Sequence, residues 1–164
     1  MTGADVLRTR PVAEITALSL GLGVLVGLVM SVANVYVGLL AGMTVSASIP
    51  AAVISMGILK GVLRRGTIHE NNIVQTVASA GESLAAGIIF TMPALVITGI
   101  WSEFDYWTTT LVSMTGGLLG VLFMIPLRKP MIVESEDLIY PEGVACAKVL
   151  QSGEIGGVGI KLVF

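Results

Sequence analysis

Charge is what this sequence has least of. Only 12% of its 164 residues are Asp, Glu, Lys or Arg, about half the roughly 25% of an ordinary soluble domain, too few to build a water-soluble surface. A basic excess is also missing, because 9 Lys and Arg stand against 11 Asp and Glu for a net charge of -2. Nothing here matches the phosphate-neutralising patches of a nucleic-acid binder, and no nucleic-acid partner is expected. Cysteine is nearly absent, with Cys146 alone, which excludes an intrachain disulfide within this stretch and a cysteine-built metal cage. His69 is the lone histidine, and one ligand does not make a metal site. No metal site and no cofactor are expected.

What charge there is lies clustered. No Asp, Glu, Lys, Arg or His falls between Ile15 and Leu59, between Ser83 and Ser102, or between Tyr106 and Leu127. Each gap accommodates the roughly 20 apolar residues that a helix needs to cross the hydrocarbon, and the first accommodates two. The fold class is therefore an all-α integral membrane protein, a polytopic helical bundle of about four transmembrane helices, some interrupted by Pro or Gly. The spans fall at about 13–32, 41–63, 70–99 and 108–127, after a cytoplasmic stretch 1–12. Arg8 and Arg10 before an apolar run, with Ser31-Val32-Ala33 after it, resemble a secretory signal. The run exceeds the usual ~7–15 residues and more spans follow, so a retained span is expected.

A turn is expected around Asn34 to Gly38, and Pro50 within the second span is expected to bend it. The stretch Trp101-Ser-Glu-Phe-Asp-Tyr-Trp107 mixes rings with two acids, as at a membrane interface. Arg8 and Arg10, the Lys60 to Arg65 cluster, and Arg128 with Lys129 all fall on one side of a four-span zigzag. By the positive-inside rule that side is cytoplasmic, which places the N-terminus in the cytoplasm of a multi-pass cell-membrane protein. Glycines four residues apart at Gly23/Gly27, Gly38/Gly42, Gly57/Gly61 and Gly116/Gly120 would let helix backbones approach closely.

The third span carries the chemistry. Asn72, Gln75, Ser79 and Glu82 recur at steps of three and four, which puts them on one helical face. Polar groups at such depth are costly and commonly mark substrate or proton pathways. From Glu70 at the cytoplasmic edge, Glu82 lies roughly 18 Å in, near the middle of a ~30 Å core. A carboxyl there without a cation favours its neutral form and would exchange a proton rather than stay charged. The plainer alternative is a protonated Glu82 that only bonds a neighbouring helix. Gly81 beside it would permit a local break. In the tail, Pro141 with Glu142 is a helix start, expected as a short helix in a cytoplasmic loop 128–164. The chain turns apolar again from Gly156 to Phe164, as though a further span followed.

The run Glu70-Asn-Asn-Ile-Val-Gln-Thr-Val-Ala-Ser-Ala-Gly-Glu-Ser83 with Phe90-Thr-Met-Pro-Ala94 closely resembles a signature of the oligopeptide transporter family. So do Tyr36-Val-Gly-Leu, Gly42-Met-Thr-Val-Ser-Ala-Ser-Ile-Pro-Ala-Ala52, and Arg128-Lys-Pro130 leading to Tyr140-Pro-Glu-Gly-Val-Ala-Cys-Ala147. The resemblance implies a multi-span secondary transporter, a symporter moving oligopeptides, modified peptides or metal chelates, generally with protons. The family includes the yellow stripe-like branch, which handles iron bound to small chelators. By the same resemblance Asn71, Asn72, Gln75, Ser79, Gly81, Glu82 and Ser83 would line the substrate and proton pathway, and Pro141, Glu142 and Gly143 would form the cytoplasmic signature. Lys148 departs from the family, which usually has Glu there. Family members are several times longer, so this chain reads as a fragment whose partners are lipid, substrate, protons, and the remaining spans or other copies. The alternative is a membrane subunit or scaffold with no transport of its own. An enzyme is not expected, since no Ser-His or paired-carboxylate arrangement occurs at matching depth.

Overall fold

A computed structural model of the chain describes residues 15–64, 66–135 and 137–155. Arg8, Arg10, Pro11, Arg65, Glu136 and the apolar stretch 156–164, on which parts of the sequence reading rest, lie outside them. Every regular element among the described residues is helical: α1 at Ala17–Ala41, α2 at Ser48–Met56 continuing as a π-helical turn Gly57–Val62, α3 at Ile68–Ile97, α4 at Tyr106–Arg128 continuing through the π-helical Lys129–Val133, and α5 at Pro141–Ile155. Three of these are long and apolar enough to cross a membrane, namely α1, α3 and α4 with its continuation. The fold is a helical membrane bundle.

α1 and α3 begin alike. Thr16 and Thr67 each cap their helix through the side-chain oxygen, which accepts from the backbone N–H three residues on, while Ser19 and Glu70 return a bond to the cap. The Thr16 hydroxyl also donates to Glu70 Oε1 at 3.0 Å, which sets the two N-termini side by side and the helices parallel. Their seam is made close by glycine. A Cβ on Gly23 would lie 2.8 Å from Val77 Cβ, and one on Gly27 3.2 Å from Ala78 Cα. Of the four-residue glycine pairs, Gly23/Gly27 is the one that meets a neighbouring helix at both members. Gly57/Gly61 and Gly116/Gly120 face open space.

The turn expected at Asn34 to Gly38 is not there, because α1 runs on to Ala41 and stops at Gly42 in the left-handed region at φ 70. Gly42 donates its N–H to Gly38 O at 2.9 Å, the usual glycine termination of a helix. The chain then doubles back along α1 as a non-helical stretch, 43–47, before α2 begins at Ser48. Pro50 is the third residue of α2 rather than an interior kink, so its missing N–H is one that the first turn leaves unpaired anyway. α2 with its continuation spans 15 residues, Ser48–Val62, about 22 Å.

The core is where α1, α2 and α3 meet, around Val26, Ala51, Leu59, Val74 and Ala78. A second apolar cluster, Ala52, Cys146 and Leu150, joins α2 to α5. α4 runs antiparallel to α3, touching it near Leu84 and Gly117, and buries none of its residues.

Candidate functional site

The break before α2 brings polar groups to the middle of α3. Because 43–47 is not helical, its backbone groups need partners from elsewhere, and Asn34 of α1 supplies them. Asn34 Nδ2 donates to Val45 O at 2.8 Å and Val45 N donates to Asn34 Oδ1 at 3.0 Å. The same Nδ2 donates to Glu82 Oε1 at 2.8 Å. Asn34 and Glu82 are buried, 3% and 5% exposed. The Glu82 carboxyl of α3 is therefore bound to α1 through Asn34, and the same amide holds the returning chain at Val45.

Next to it, Ser48 Oγ at the start of α2 lies 3.0 Å from Ser79 Oγ, and Ser48 also bonds Ser46. Ser46 donates a short hydrogen bond to Glu142 Oε1. These hydroxyls, Ser46 first and Ser48 second, hold the Glu142 carboxyl below its ordinary range, because hydrogen bonds to the charged form favour it. α5 thus lies against α2 with its N-terminus at the level of Ser79. Further along, Cys146 Sγ approaches Ser48 O at 3.8 Å and Lys60 Nζ donates to Gly153 O at 2.9 Å. The register 46 to 142, 48 to 146 and 60 to 153 makes α2 and α5 parallel neighbours. Burial pushes the Cys146 thiol upward, with Glu142 adding to the effect.

Two cavities open on this seam. One of about 690 Å³ is bordered by Ser48, Asn72, Gln75, Tyr140, Glu142 and Cys146 among others. The other, about 420 Å³, is bordered by Thr44, Ser46, Ser79, Glu82, Ser83 and Glu142 together with Ala86. Glu142 borders both, and among the described residues no Lys, Arg or His borders either. Hydroxyls, amides and two carboxyls here offer acceptors and donors to a polar ligand, and no nucleophile sits beside a histidine base.

The residues singled out in the sequence separate in space. Asn72, Gln75, Ser79, Glu82, Ser83 and the turn Pro141-Glu142-Gly143 come together at the cavities. Asn71 does not. It is buried toward α2, accepting from Ser55 Oγ at 2.9 Å and donating to Thr67 O at 3.1 Å, so it joins helices. Gly81 does not break α3, which is continuous from Ile68 to Ile97; the break is in the 43–47 stretch instead. Pro141 is the first residue of α5, and Gly143 rests near Tyr140. Sequence reasoning missed Asn34, Ser46 and Ser48. Asn34 had a signal, being the sole side-chain amide in the charge-free run from Ile15 to Leu59. Among the described residues no three His, Cys, Asp or Glu gather closely enough to hold a metal ion.

Comparison with known proteins fits this arrangement. Residues 14–162 match the family described as OPT oligopeptide transporter protein. A Haemophilus influenzae protein named as an oligopeptide transporter is 49% identical over 128 residues, 77% of this chain and 20% of that protein. An Oryza sativa subsp. japonica protein named as a metal-nicotianamine transporter, YSL9, is 31% identical over 154 residues, 80% of this chain and 22% of that one. The Arabidopsis thaliana metal-nicotianamine transporter YSL3 is 28% identical over 156 residues, with 80% and 23% covered. The chain spans about a fifth of the length of these relatives. No solved structure matches it.

Proposed function

The chain belongs to the OPT oligopeptide transporter family, and from that premise we propose that it forms part of a proton-coupled pathway for small peptides or metal chelates across the cell membrane. The observation that carries this reading is the buried Glu82 carboxyl, bound to Asn34 and bordering a polar cavity at the break before α2. Buried carboxyls within membrane-spanning helices commonly belong to substrate or proton pathways. In this reading Ser79, Ser83, Asn72, Gln75 and Glu142 face the passing substrate, whose amides and charged ends they match in kind. The substrate class is supported by the names of the relatives, which point to oligopeptides and to metal-nicotianamine. The orientation is supported by Lys60 and Arg64 near the end of α2 and Arg128 and Lys129 at the end of α4, all on the side where α1 and α3 start. That side is the cytoplasm.

A scaffold that only fills space between spans would have no use for a mid-helix carboxyl, whose burial is costly. The test is uptake into vesicles carrying the protein, with an imposed pH gradient and either a labelled di- or tripeptide or a labelled iron-nicotianamine complex. Glu82→Gln keeps size and hydrogen bonding but removes titration. It is expected to insert normally, to lose gradient-driven uptake at least tenfold, and to retain exchange of substrate across the membrane. Wild-type uptake with an unchanged pH profile in Glu82→Gln would remove the carboxyl from the mechanism.

A further inference from the structure

An asparagine side chain has two N–H donors and one carbonyl oxygen, and in Asn34 all three groups are engaged. Oδ1 accepts from Val45 N at 3.0 Å, while Nδ2 donates to Val45 O and to Glu82 Oε1, both at 2.8 Å. Two of these bonds reproduce, with a side chain, the paired N–H and C=O contacts that one strand residue makes with its neighbour. They fasten the stretch 43–47 onto α1. The third bond comes from the same planar group, so the carboxyl and the returning chain are anchored to one rigid amide. The stretch leads directly into Ser48 and the first turn of α2, where Ser48 meets Ser79. A change at Glu82 therefore has a short route to the start of α2.

From this geometry we propose that Asn34 is a positioning residue that ties the charge state of Glu82 to the docking of the 43–47 stretch, and through it to the N-terminus of α2. The inference rests on the reading of Glu82 as the group that exchanges a proton. A charged acceptor makes a hydrogen bond roughly twice as strong as a neutral one. Ionised Glu82 draws the Asn34 amide toward itself and holds the stretch closed; protonated Glu82 releases part of that grip. The titratable neighbours are few. Glu142 of α5 shares the cavity with Glu82, and no titratable side chain of α1, α2 or α4 borders it. Lys60, at the other end of α2, donates to Gly153 O.

Hydrogen exchange read by mass spectrometry on peptides covering 43–47, in the full-length protein and corrected for the intrinsic pH dependence of exchange, measures the closed stretch through the Val45 amide. Protection is expected to fall about fivefold as Glu82 becomes protonated, the difference between a charge-assisted and a neutral bond. In Asn34→Ala protection should be low and the same at every pH. In Glu82→Gln, where Asn34 keeps an acceptor, it should be intermediate and equally flat. A purely structural Asn34 would lower protection by one factor throughout and leave the pH dependence in Asn34→Ala, which overturns the proposal. Dependence that survives Asn34→Ala and disappears in Glu142→Gln overturns it too, since Glu142 would then act through Ser46. A flat wild-type profile together with pH-sensitive uptake that Glu82→Gln abolishes would sink the tie alone. If Glu82→Gln also transports normally, the proton reading fails with it. Should Asn34→Ala fail to insert, Asn34→Ser, smaller and still polar, gives the same comparison.

Discussion

Gly23 and Gly27 decide how closely α1 can approach α3. At Gly23 a single methyl would sit 2.8 Å from Val77 Cβ, an atom fixed to the α3 backbone, so the helices themselves would have to part. Overpacking of this kind costs about 1–3 kcal/mol, and the parting would stretch the Asn34–Glu82 bond on the same seam. Gly23→Ala is expected to lower the melting temperature of the detergent-solubilised protein by several degrees, whereas Gly21→Ala, which meets nothing within 4 Å, should leave it unchanged. Equal melting of the two variants would mean that this seam has room for the extra methyl. At this scale the sequence was partly readable. Ser79 and Glu82 reveal themselves through helical spacing, because both belong to one helix and its period is known. Asn34 stands out only as the one side-chain amide of an uncharged run, and no local pattern gives its partner Val45 or the Ser46 partner Glu142, 11 and 96 residues away.

The elements follow the same division. Long apolar runs show α1, α3 and α4 directly, since length and hydropathy alone identify them. The end of α1 and the start of α2 are obscured because the intervening stretch, like the helices around it, carries no charge. Gly42 ends the helix by its left-handed backbone rather than by any change in polarity. α5 is legible as a short helix starting at Pro141 and Glu142, but its packing partner is not, because its apolar contacts at Cys146 and Leu150 are with Ala52, far away in sequence. The parallel docking of α5 on α2 has a direct check, since Cys146 is the one cysteine in the chain. Ala52→Cys should be joined to Cys146 by a short bifunctional thiol reagent in membranes, giving an intramolecular product of altered mobility. Ile54→Cys, on the outward side of α2 at 38% exposure, should not. A helix free in the cytoplasm would give neither product preferentially.

At the scale of the whole molecule, the described helices form a three-helix nucleus with α5 alongside and α4 at its margin. α4 buries nothing, and Leu118, Val121, Phe123 and Ile125 stand open along it, surface suited to lipid or to other helices. Orientation is testable with single cysteines in a Cys146→Ala background. Ser102→Cys, within the aromatic stretch, should react with an impermeant thiol reagent applied to intact cells. Ser135→Cys, beyond Lys129, should react in inverted vesicles instead. Labelling in the opposite pattern would invert the whole bundle. The length of α3 has one further effect. Its 30 residues rise about 45 Å, whereas the stretch from Val77 to Ile97 accounts for only about 31 Å of apolar helix. If water follows the polar first half as far as Thr76, the membrane voltage falls mainly across the remainder, and Glu82 lies about 9 Å into that field. A proton entering from the Glu70 side would then cross nearly a third of the potential to reach it, an electrical work of roughly 0.7 kcal/mol per 100 mV. Occupancy of the carboxyl would respond to the membrane potential as well as to pH.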